Sequence, residues 1–147
     1  MAKSEKAYVA AVKIRSAINA NAKVKGILHR LGLRKKLTLV VFKDTPSLIG
    51  QLREVKDYVT YGEIDKPFLE KLVEARGKEY KGRLADSKHK FQRQRFLLVK
   101  GKRIKPYFAL HPPRGGFERG GIKKPYSRTG ALGDRGKEIV KLIERML

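Results

Sequence analysis

The chain has no cysteine among its 147 residues. That excludes disulfides, thiolate metal sites and cysteine nucleophiles, and it suits a reducing compartment. Acids are scarce, with 14 Asp and Glu against 36 Lys and Arg. The carboxylates that exist fall on the exteriors and caps of predicted helices, and no Ser/His/Asp arrangement is suggested, so nothing points to catalysis. The three histidines, His29, His89 and His111, lie far apart in the chain. None pairs with a carboxylate at metal-ligand spacing. Long apolar runs are missing too, and nothing approaches the ~20 residues of a membrane span. The N-terminal "MAKSEKAYVAAVKIRSAINANAK" lacks the apolar centre of a signal peptide. The expectation is a cytoplasmic protein without cofactor, metal, small-molecule substrate or membrane association, and not an enzyme.

What the chain has in excess is positive charge, +22 at pH 7. A charge this large repels itself in the folded state and makes physical sense when a polyanion neutralises it. Nucleic acid is the first candidate and an anionic membrane surface the second. The charge is unevenly placed. Residues 1–43 hold eleven Lys and Arg against one acid, net +10. Residues 44–79 hold six against eight, net −2, and residues 80–147 hold nineteen against five, net +14. The middle third reads as ordinary globular protein and the flanks as polyanion-binding surface.

Apolar residues make up 41% of the chain, enough for a modest core. "YVAAVKIR", Tyr8 to Arg15, reads as a strand. Asn21 then caps a helix with Val24, Ile27, Leu28 and Leu31 at helical spacing and Gly32 as its stop. A basic turn, Arg34, Lys35 and Lys36, precedes "LTLVVF", Leu37 to Phe42. That strand is apolar on both faces and therefore central. Thr45 and Pro46 open a second helix. "YVTYGEI" is a third strand, and Asp65 caps a third helix that stops at Gly77. The first half thus reads strand, helix, strand, helix, strand. This predicts an α+β fold: a β-α-β-α-β core over residues 1–65, with three strands and two helices on one face. Residues 66–147 form a basic C-terminal extension. In it, short strands or a hairpin near Gly101 are expected around Phe96 to Val99 and Tyr107 to Leu110. A terminal helix capped by Asp134 turns Ile139, Leu142, Ile143 and Met146 inward.

Before that helix runs "HPPRGGFERGGIKKPYSRTGALGDRG", with seven of the 14 glycines and three of the six prolines. Its apolar residues are few, so ordering it by core formation alone is unfavourable. It is predicted to be a tethered loop, mobile in the free protein and ordered by RNA. Arginine supplies planar forks for phosphate, and Phe117 and Tyr126 offer rings for unpaired bases. A solvated linker is the bland alternative, but it leaves the net charge of the extension unexplained. "GGFERGG" is neither a dinucleotide fingerprint nor a phosphate-binding loop, because it lacks the strand–helix context and the Gly-Lys-Ser/Thr ending. Candidate RNA contacts are Arg15, Arg34, Lys35, Lys36, His111, Arg114, Phe117, Arg119, Lys123, Lys124, Tyr126, Arg128 and Arg135.

"ILHRLGLRKKLTLVVFKDTPSLIGQLREVKDYVTYGEI", Ile27 to Ile64, resembles the core of the large-subunit ribosomal protein L-thirty family, called L-seven in eukaryotes. "YFALHPPRGGF…IKKPY…GALGDRG…LIERML" is similar to the C-terminal extension of its archaeal and eukaryotic long form. The chain departs from the family where Gln51 follows Gly50 in place of methionine. The stretch from Gly82 to Phe108 is also shorter than in the usual long form, and no long basic N-terminal arm is present, which suits the archaeal type. The resemblance implies a ferredoxin-like core and a structural, non-catalytic role in the large ribosomal subunit. It implies contact with large-subunit rRNA, a place close to 5S rRNA, and neighbouring ribosomal proteins. Among the candidate contacts it favours the turn Arg34 to Lys36 and the loop Arg114 to Tyr126. A free-standing RNA-binding chaperone or nucleoid-type protein is the alternative reading.

Overall fold

The computed structural model describes residues 8–83, 85, 87–89 and 97–147. Phe96, the first residue of one predicted apolar run, lies outside them. In chain order the elements are strand β1 (Tyr8–Lys13), helix α1 (Ala22–Arg30), β2 (Thr38–Lys43), α2 (Pro46–Glu54), β3 (Val59–Ile64) and α3 (Lys66–Arg76). The short strands β4 (Leu97–Val99), β5 (Lys102–Ile104), β6 (Tyr107–Ala109) and β7 (Gly133–Asp134) follow, and helix α4 (Ile139–Met146) closes the chain.

β1 lies at the centre of the sheet. It pairs antiparallel with β2 on one side and with β3 on the other. β2 and β3 are therefore parallel to each other with β1 between them, and α2 makes the crossover of a split β-α-β unit. Side chains alternate across the sheet because successive residues of a strand point to opposite faces. Val9 and Ala11 of β1, with Val40, Val59 and Tyr61, pack under α1 and α2. Ala10 and Val12, with Leu39, Val41 and Ile64, pack against α3 and α4. Two helices on one face agree with the expectation. The opposite face, left open by the sequence, is covered by the chain's own C-terminal half.

The sheet has five strands rather than three, in the order β6-β2-β1-β3-β7. β6 adds antiparallel to β2, and β7 adds parallel to β3. Three residues and two residues are too short to leave a periodic signal, so the sequence does not reveal them as strands of this sheet. A hairpin turning at Gly101 does form, but its second strand is Lys102–Ile104, and the expected run at Tyr107 pairs with β2 instead. β4 pairs with β5, and its turn holds Lys100 and Gly101 with φ of 48° and 75°, the left-handed pair that a two-residue hairpin turn requires.

Local signals set the starts of α1 and α2, whereas Asp65, expected to cap α3, stands at its N-cap position without a side-chain cap hydrogen bond. Asn21 Oδ1 accepts from the Val24 N–H at 3.0 Å and Thr45 Oγ1 from the Leu48 N–H at 3.3 Å. Asp134 differs from its predicted part as the cap of α4. Its carboxylate accepts from the Gly136 N–H at 2.8 Å, and a short 3-10 turn, Gly136–Glu138, leads into α4. The cap thus shapes the entry turn, one step before the helix. In α4 the residues Ile139, Leu142, Ile143 and Met146 are all fully buried, each burial contributing roughly 1.5–3 kcal/mol. α4 is therefore core rather than tail.

The approach of α4 to the sheet depends on Gly62. A Cβ there would collide with the Gly136 carbonyl and the Ile139 side chain. Gly62→Ala is expected to cost about 1–3 kcal/mol through overpacking. Urea unfolding followed by circular dichroism checks this. An unchanged midpoint would show that the sheet and α4 are not in such close contact.

Candidate nucleic-acid interface

The candidate interface is assembled by strand directions. β1 ends at Lys13, while β2 begins at Thr38 and β3 at Val59. β6 ends at Ala109 opposite Thr38, and β7 begins at Gly133 opposite Thr60. Segments 14–21, 31–37, 55–58 and 110–132 consequently gather at one end of the sheet. Backbone hydrogen bonds join them: Leu37 N–H to Lys13 C=O at 2.8 Å, Leu110 N–H to Leu37 C=O at 3.0 Å, and Arg15 N–H to Tyr58 C=O at 3.1 Å. A small apolar cluster of Ile14, Ala131 and Leu132, with Phe117 against it, seats the glycine-rich loop on the end of β1. The opposite end of the sheet carries Asp44, Glu63 and Asp65 beside Lys43 and Lys66.

The loop differs from the expectation that only an outside partner gives it shape. It folds back on itself through its own backbone. The Gly120 N–H donates to Thr129 C=O at 2.7 Å, Tyr126 N–H to Leu132 C=O at 2.7 Å, Gly130 N–H to Pro125 C=O at 2.9 Å and Ala131 N–H to Gly121 C=O at 3.1 Å. Gly130 is buried, and a Cβ there would overlap the Lys124 carbonyl. At this position glycine permits a close chain crossing, where the sequence suggested flexibility. The loop's near end is pinned to α4, with His111 N–H on Met146 C=O and Arg114 N–H on Arg145 C=O.

Arg135 is the centre of this arrangement. It is 5% exposed. Its Nε donates to Thr60 Oγ1 at 3.0 Å, Nη1 to Glu118 Oε1 at 3.0 Å and Nη2 to the Ala131 carbonyl at 3.2 Å. The Thr60 hydroxyl in turn donates to the Gly133 carbonyl at 3.0 Å. The guanidinium also sits 4.7 Å from the centroid of the Tyr126 ring, within cation–π range. Glu118 Oε1 accepts a second donor, Arg145 Nη2, at 3.3 Å.

The predicted contact residues therefore divide. Arg34, Lys35, Lys36, His111, Arg114, Arg119, Lys123, Lys124 and Arg128 are exposed at the basic end. Arg15 is half-buried, its guanidinium 5.7 Å from the Tyr58 ring centroid. Arg135 is corrected from a ligand contact to an internal brace, because its donors are occupied by the protein and it is buried. Phe117 and Tyr126 are half-buried: Phe117 packs against the core and Tyr126 against Arg135, so neither ring stands free. The sequence reasoning missed Glu118, whose only signal was being the lone acid between Arg114 and Asp134. It also missed Lys13, whose position two residues after Ala11 places it on an inward face. Among the described residues, no cluster of His, Cys, Asp and Glu can hold a metal, and no helix is long and apolar enough to cross a membrane.

A split β-α-β sheet with one end coated in cations from four separate segments defines a small α+β protein built to hold a polyanion. Residues 9–59 match the model of the family described as ribosomal protein L30p/L7e. Three archaeal relatives, each named large ribosomal subunit protein uL30, are similar over nearly the full length. That of Methanopyrus kandleri is 36% identical, covering 91% of this chain and all of the relative. That of Desulfurococcus amylolyticus is 42% identical, covering 94% and 97%, and that of Korarchaeum cryptofilum 40%, covering 95% and 94%. The chain belongs to the ribosomal protein L30p/L7e family. The similarity to these relatives covers 91–95% of the chain, well beyond the stretch that the family model matches.

Glu118→Gln is expected to lower stability by about 1–3 kcal/mol, since Arg135 loses the one carboxylate that compensates its buried charge. The same substitution should speed amide exchange at Gly120, Tyr126 and Ala131. Exchange rates equal to those of the unsubstituted protein would mean that the loop does not rest on this pair.

Proposed function

We propose that this protein is a structural constituent of the large ribosomal subunit, acting in the cytoplasm by binding rRNA and not by catalysis. One observation carries the reading: cations distant in sequence converge at one end of the sheet on backbone that is already folded. Phosphate contacts position a protein on RNA without reading bases, and each one releases counterions. Arg15, Arg34, Lys35 and Lys36 offer such contacts from the turns of the core. His111, Arg114, Arg119, Lys123, Lys124 and Arg128 offer them from the extension. The family resemblance extends the reading to a site close to 5S rRNA, with other ribosomal proteins as neighbours. A free-standing RNA chaperone would share the charge but would not remain with the large subunit in a sedimentation gradient at moderate salt.

The loop cations are exposed and stand apart from the core, so they can be tested without unfolding it. Replacing Arg119, Lys123, Lys124 and Arg128 together by Gln should flatten the dependence of log affinity on log salt. Each lost phosphate contact removes roughly 0.7–0.9 from that slope, giving a decrease of about 3 for the four. The measurement is filter binding to deproteinised large-subunit rRNA across a salt series. An unaltered slope would place the RNA contacts elsewhere.

A further inference from the structure

The alternation of β1 puts Lys13 on the same face as Val9 and Ala11, beneath the α1–α2 layer, yet Lys13 carries a charge there. It is 5% exposed. Its Nζ donates to the Arg34 carbonyl at 2.9 Å, its one hydrogen bond to the described residues. An ammonium group carries three donors, so two remain without a protein partner among those residues. The side chain lines a notch of about 380 Å³ with Leu28 and Leu33 as apolar walls. Lys25 and His29 from α1 and Arg34 from the basic turn border the same notch, while β3 places Val59 alongside Lys13. The charged groups around this partly buried ammonium are cations, and among the described residues no carboxylate compensates it. A buried charge in such company is unfavourable unless an anion joins it.

We propose that Lys13, with the turn Arg34–Lys36, forms a binding site for a single RNA backbone phosphate, which enters the notch and accepts hydrogen bonds from the Lys13 ammonium. The proposal rests on the RNA-binding reading above and adds to it a specific, partly buried contact on the core, apart from the exposed cations of the loop. The titration of Lys13 supports it: burial first, and then the charge of Lys36, hold its pKa below the ordinary 10.5. A bound phosphate would return that pKa toward its ordinary value. Binding would then take up a proton between the two values, and affinity would fall as pH rises through that window.

The test compares Lys13→Met with Lys66→Met, which removes an equal charge at the opposite end of the sheet. Both full-length variants are titrated against deproteinised archaeal large-subunit rRNA and against poly(U). Lys13→Met should weaken binding to both RNAs about tenfold, because one charge-assisted bond is lost and phosphates carry no sequence. Lys66→Met should stay within about twofold. Equal losses in the two variants would overturn the site. If the unsubstituted protein does not distinguish rRNA from poly(U), the ribosomal reading is in error, while a selective Lys13→Met loss on both RNAs still upholds the phosphate contact. A second readout needs no variant: the ¹³Cε titration of Lys13 in the intact chain, free, with rRNA fragments and with inorganic phosphate. An upward shift in pKa with RNA is the expected result. No shift with RNA, or a shift with inorganic phosphate only, would overturn it.

Discussion

A single buried guanidinium ties the glycine-rich loop and the approach to α4 to strand β3. Arg135 follows the two-residue strand β7, and its own N–H donates to the Tyr61 carbonyl of β3 at 2.9 Å. Its side chain then reaches Thr60 on β3, Ala131 and Glu118 in the loop, and the ring of Tyr126. Edge strand, loop and the approach to α4 all meet on that one group. Breaking such a pair by removing one partner leaves an uncompensated buried charge, which is far more costly than never having built it. The surrounding geometry is therefore tightly coupled: the loop cannot change shape without exposing Arg135 or stripping it of Glu118.

That coupling has a consequence for a protein of net charge +22. Exposed cations on a flexible strand would repel one another and spread. Here they project from backbone that is already hydrogen-bonded, so less conformational entropy remains to be lost on binding. The few acids are used sparingly. Glu118 is spent inside the basic end, on Arg135 and Arg145. Glu70 and Glu74 pair with Lys100, and Glu54 pairs with Lys23. Strand polarity thus gathers the basic turns at one end of the sheet, where they can face a polyanion.

The core was legible because its signals are periodic and local. Val24, Ile27, Leu28 and Leu31 mark α1, Thr45 and Pro46 mark the start of α2, and Ile139, Leu142, Ile143 and Met146 mark the buried stripe of α4. β6 was legible as a short apolar run but not as a strand of this sheet, and β7 not at all, since their pairing is decided by tertiary position rather than by residue pattern. The candidate site was half legible. Exposed cations announce themselves by composition, whereas buried ones do not: Arg135 reads like any other arginine of the loop until Thr60, 75 residues away, is seen beside it. The glycines misled in the same way. Gly130 looks like freedom in the sequence, but it marks a chain crossing too tight for a side chain.

The central claim is that the glycine-rich loop is folded before any RNA arrives. Amide hydrogen exchange on the free, full-length protein tests it most directly. The account predicts that the N–H groups of Gly120, Tyr126, Gly130, Ala131 and Leu132 exchange slowly, at rates comparable with those of β3. Exchange at the speed of an unstructured chain, with protection gained only in the assembled subunit, would contradict it.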